Sequence, residues 1–138
     1  MTSEDFTELY EASARLERAG DYASARDTFL VVSDAAEEMG FMEYAREARR
    51  RATLNHVTAW ARQRWPTEGI FIHNVEFNQF PFGTFGRRRS RVDLQIRRVP
   101  GDVRRGPGAV LSWTRVTMGR RGDVRLEHDP YRSPRART

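Results

Sequence analysis

Between Phe6 and Ala61 the apolar residues of this chain return every third or fourth position; from Ile70 onward they return every second one. The first spacing is that of an amphipathic helix and the second that of a half-buried strand. Phe6, Leu9, Tyr10, Leu16 and Ala19 mark one face of a helix over about 4–19, with Ser3 or Thr2 placed to cap its start and acids crowding its first turn. Gly20 ends it, and Asp21 is an N-cap for a second helix whose stripe is Tyr22, Ala25, Phe29, Val32, Ala36 and Met39. Gly40 stops that helix. A third runs from about Phe41 to Arg64, where Pro66 closes it because the residue before a proline resists the helical region. Connections this short make successive helices antiparallel, so a three-helix layer is expected.

The alternating half predicts strands. Ile70 to Phe77 is rich in β-branched and aromatic residues. Phe80-Pro81-Phe82-Gly83-Thr84-Phe85-Gly86 reads as a turn. Over Arg91 to Val99, Val92, Leu94 and Ile96 alternate with Arg91, Asp93, Gln95 and Arg97, the pattern of a strand with one buried and one wet face. Ala109 to Met118 predicts a third strand, with Leu111, Trp113 and Arg115 on one face and Val110, Thr114, Val116 and Met118 on the other. A hairpin-like turn, Gly119-Arg120-Arg121-Gly122-Asp123, leads to Val124–Glu127. Helices first and strands afterwards give an α+β class: an N-terminal three-helix layer, then a small antiparallel β-sheet of about four strands. The predicted organisation is an acidic helical segment over 1–65, a basic β region over 66–128 and a flexible basic tail over 129–138.

The stretch Ala19-Gly20-Asp21-Tyr22-Ala23-Ser24-Ala25, followed by Phe29, resembles the turn and second helix of a tetratricopeptide repeat. On that alignment Leu9, Ala12, Ser13 and Leu16 fall on first-helix packing positions, and Ala25, Phe29 and Val32 on second-helix positions. Small residues at 12, 13 and 25 let two helices approach, while Leu16, Tyr22 and Phe29 fill the groove between them. The resemblance covers about residues 6–39 as a single, partial unit. It implies a repeat-like helical hairpin, with Glu37 near the place of the repeat's closing proline and no clear second copy after it.

Charge sharpens the division. Residues 1–65 carry nine arginines and twelve acids, net −3, whereas residues 66–138 carry fifteen arginines and seven acids, net +8. Within the first part, residues 1–47 alone have net charge −8. All 24 basic residues are arginine. The absence of lysine excludes Schiff-base chemistry and a phosphate-loop lysine, and the absence of cysteine excludes disulfides, thiol catalysis and thiolate metal sites. No run of about 18 apolar residues exists to cross a membrane. The N-terminus lacks the basic start and apolar block of a secretory signal, so a cytoplasmic location is expected.

Candidate chemistry lies in the basic half. Arg87, Arg88, Arg89 and Arg91 precede the second predicted strand, and Arg104, Arg105, Arg120 and Arg121 lie in loops, making two basic rims if the sheet is a meander. Phe82, Phe85 and Trp113 stand among them. Arginine with exposed aromatic rings binds single-stranded nucleic acid by neutralising phosphates and stacking on bases. A second run, Arg49-Arg50-Arg51, reads as a solvated helical face with Glu43 and Glu47 as local partners. Asp93, Gln95, Arg97 and Glu76 resemble part of a metal-dependent nuclease core, with glutamine and arginine where a second carboxylate and a lysine are required. No HExxH or GxSxG motif occurs, and no catalytic residue, metal or cofactor is expected. The expected function is a small non-enzymatic binding protein whose basic β region contacts DNA, RNA or another acidic surface. The alternative is an assembly or adaptor subunit, of a virus or another large particle, that meets a protein partner or its own copies through acidic helices and basic sheet.

Overall fold

In the computed structural model, three helices precede four strands: α1 Ser3–Arg18, α2 Tyr22–Glu38, α3 Met42–Arg64, β1 Ile70–Gly83, β2 Arg87–Arg98, β3 Val110–Met118 and β4 Val124–His128. The structure describes residues 2–67, 69–83, 87–99, 108–118 and 124–128; the side chains described are those of these residues other than 74, 76–83, 87–90, 118, 124 and 128. The chain divides into two compact units, Met1–Trp60 and Ala61–Thr138. The α+β class and the N-terminal helical layer stand as expected.

In the first unit, helix ends follow local chemistry. The Thr2 hydroxyl accepts from the Asp5 N–H while Asp5 accepts from the Thr2 N–H, a reciprocal cap of α1. Asp21 caps α2 through the Ser24 N–H. Gly20 and Gly40 close α1 and α2 with φ of 82° and 79°, in the left-handed region where a side chain is strained.

Packing then uses the small residues. Ala25, Ala36, Ala48 and Ala52 have no exposed surface, and Phe29, Val32 and Val57 fill the space these close approaches leave. The Ser33 hydroxyl donates to the Ala45 carbonyl at 2.8 Å and ties α2 to α3. Phe6 meets Tyr44, and Glu17 meets Asn55, so α1 and α3 run in the same direction. Arg26 meets His56 and Ser33 meets Ala45, so α2 runs against α3.

The arginine run of α3 departs from the solvated face expected of it. Arg50 keeps to the surface and reaches Glu47 at 3.6 Å. Arg49 is only 4% exposed. Arg51 turns inward: one guanidinium nitrogen donates to Glu17, another to the Tyr10 hydroxyl at 3.0 Å, and its carbon lies 4.5 Å from the Phe29 ring centre. Asn55 donates to the other Glu17 oxygen at 2.7 Å. Desolvation opposes this charge, but the hydrogen bonds to Glu17 and Tyr10 prevail and raise the Arg51 pKa above its ordinary value. The partner is Glu17, 34 positions away, rather than the neighbouring Glu47.

His56 is held neutral by geometry. A guanidinium has only donors, so the 2.9 Å contact from Arg26 requires Nδ1 to accept. Burial first, and the Arg26 charge second, lower the His56 pKa from 6.5, with Asp27 opposing. The unfolded chain therefore takes up a proton near pH 6.5 while the folded chain resists it. Stability is fully present above that pH and is lost as pH falls below it. Thermal unfolding between pH 5 and 8 is expected to show this decline, and His56→Gln to flatten it.

The second unit is an antiparallel meander in the order β1-β2-β3-β4. Val92, Leu94, Ile96 and Val116 are buried on one face, together with Ser112 and Thr114, whose hydroxyls pair at 2.8 Å. Two boundaries differ from expectation. β1 continues through Phe80, Pro81 and Phe82 to Gly83, where a turn is expected. β1 lies at the edge of the sheet, and Pro81 falls in the register break between Phe80 and Gly83, a place where a missing N–H costs no ladder bond. Arg87, Arg88 and Arg89 lie within β2 rather than ahead of it. No helix among the described residues is long and apolar enough to cross a membrane.

Candidate nucleic-acid interface

Strand alternation places Arg91, Asp93, Gln95 and Arg97 on the face of the sheet opposite Val92, Leu94 and Ile96. Cross-strand register adds to that face. His73 of β1 stands opposite Gln95, and Gln95 stands opposite Trp113 of β3. Arg115 and Thr117 follow Trp113 on the same side, and Glu127 and Arg125 of β4 pair with them. Phe71 joins His73 edge-on, with ring centres 5.8 Å apart.

The result is a row of ring, amide and ring across three strands. At about 4.8 Å per strand, His73 and Trp113 are separated by about 10 Å. Gln95 between them is buried, and its carbonyl oxygen accepts from Arg97 Nε at 2.8 Å. Arg97 also donates to the Gly108 carbonyl, which fixes the guanidinium along the strand. Trp113 is 42% exposed, an unusual placement for the largest side chain on a small sheet.

Asp93 sits between two arginines. Its carboxylate accepts from Arg115 Nε at 2.8 Å, and Arg91 Nε lies 3.3 Å from its other oxygen. Two cations on one anion leave a positive balance of one. Arg125 lies 3.5 Å from Glu127 at the exposed end of β4. Asp93 is thus committed to guanidinium groups, and no set of three His, Asp or Glu among the described residues is placed to hold a metal. Of the partial nuclease-core pattern, Asp93, Gln95 and Arg97 share one face of β2, and the Glu76 side chain lies outside those described.

Of the residues expected to bind nucleic acid, the structure brings Arg91 and Trp113 to one face of the sheet. Arg87, Arg88 and Arg89 lie within β2, with side chains outside those described. Phe82 lies within β1. Phe85, Arg104, Arg105, Arg120 and Arg121 lie outside the described residues. The linear pattern points to Trp113 and the arginines but gives no sign of His73 and Gln95 as companions of Trp113. Their signal is the register, which a single strand's pattern does not contain. No known family, curated protein or solved structure matches the chain.

Proposed function

We propose that the protein binds single-stranded nucleic acid on the polar face of its meander. The observation that supports this reading is the row His73, Gln95, Trp113, with an exposed indole set among Arg91, Arg97, Arg115 and Arg125. Bases stack on the Trp113 indole, and neighbouring guanidinium groups take the phosphates. The buried Gln95 supplies a polar floor between the two rings. Stacking accepts any base, so this arrangement favours single strands with little sequence preference.

The test is fluorescence anisotropy of a labelled oligonucleotide, as DNA and as RNA, across a salt series. Affinity is expected to fall with salt at a slope of about −0.7 per phosphate contacted, roughly −2 for three contacts. Trp113→Ala is expected to cost about 1–3 kcal/mol of binding, and Trp113→Phe much less. A salt-independent affinity, or a Trp113→Ala variant that binds like the parent, overturns the reading.

A further inference from the structure

The helical unit carries a second surface of different chemistry. α1 and α3 begin, and α2 ends, at one end of the unit, where Phe41, Met42 and Tyr44 are 44%, 43% and 57% exposed. These are not scattered side chains. Phe6, Phe41 and Tyr44 contact one another edge to face, with ring centres 5.9–6.4 Å apart. Edge-to-face packing leaves ring faces available, and ring faces attract cations.

The surrounding charge selects the cation. Glu4, Asp5, Glu38 and Glu43 are exposed at the same helix ends, against Arg46 as the nearby base. Two helix N-termini and one C-terminus leave about half a positive charge there, far less than the four acids supply. Residues 1–47 as a whole carry net charge −8. The unit's own interior shows what such a set binds: Arg51 lies over the Phe29 and Tyr10 rings while its guanidinium closes on the Glu17 carboxylate. The corner at Phe41 and Tyr44 offers rings and carboxylates of the same kind to the outside.

We infer that this corner docks an arginine-bearing polypeptide segment, its guanidinium stacked on Tyr44 or Phe41 and paired with the flanking carboxylates. Lysine fits less well, because an ammonium neither stacks as a plane nor binds a carboxylate with two parallel bonds.

The chain contains four methionines, and the Met42 methyl group is a reporter inside the corner. Methyl-labelled full-length protein is titrated with an acetylated, amidated (Gly-Arg)4 peptide and with its (Gly-Lys)4 counterpart of equal charge. The arginine peptide is expected to shift the Met42 resonance. The lysine peptide is expected to bind about fivefold more weakly, the factor given by about 1 kcal/mol for the second parallel hydrogen bond that an ammonium does not make. Tyr44→Ala is expected to weaken the arginine peptide by a similar factor, and Trp113→Ala to leave it unchanged. Equal affinity for both peptides, a silent Met42, or an unaffected Tyr44→Ala variant overturns the inference. So does a Met42 resonance that moves with protein concentration and ignores the peptide, which places a second copy of the chain on this corner.

Discussion

Arg51→Met is expected to destabilise the helical unit by about 2–4 kcal/mol, measured by urea unfolding. The substitution keeps the aliphatic volume and removes the charge. Glu17 then retains Asn55 but loses its cation, and the Tyr10 hydroxyl loses its donor. The figure is set below that of a fully buried pair because both side chains keep some exposure, at 24% and 30%. Arg51→Lys is expected to recover little, since one ammonium does not span Glu17 and Tyr10 while lying flat on Phe29. Adding Glu17→Gln to Arg51→Met is expected to restore part of the loss, because it removes the stranded charge.

Phe29→Ala is expected to cost more, about 3–5 kcal/mol, as a large side chain with no exposed surface is truncated to a methyl group. Tyr10 loses its edge-on partner at 5.7 Å and Arg51 loses the ring beneath it. The two substitutions share these contacts, so their costs are not additive. A double-mutant cycle between Phe29→Ala and Arg51→Met is expected to give a coupling of about 0.5–1.5 kcal/mol. A coupling of zero would mean that the guanidinium gains nothing from the ring.

The contrast between Arg51 and Asp21 shows what a linear pattern reveals. Asp21, Gly20 and Gly40 act within four residues of themselves, and the chain's local order contains their whole role. Val92, Leu94 and Ile96 likewise announce a buried face by alternation alone. Arg51 lies in a run of three arginines beside two glutamates, and nothing local separates it from Arg50. Its fate depends on α1 arriving parallel to α3 with Glu17 at the right height. Pro81 misleads for the related reason that a proline two residues ahead of a glycine is turn chemistry in isolation, yet an edge strand tolerates it. The polar face of the sheet is legible from β2 alone, but the juxtaposition of His73 with Trp113 exists only once three strands are paired.

Asp93 also decides which pairing β2 and β3 adopt. Opposite Arg115 it has a cation on each side. A slip of one residue sets it against Thr114 or Val116 and mixes the buried and wet faces. A slip of two preserves the faces but sets it against Trp113 or Thr117, neither of which carries charge. Apolar alternation tolerates that second slip; it costs Asp93 its Arg115 partner and leaves only Arg91 of its own strand. Asp93→Asn is therefore expected to act less on melting temperature than on uniformity, splitting the amide resonances of β3 into more than one set. In that sense a half-buried charge keeps the molecule single-valued, and the Trp113 ring stays opposite Gln95.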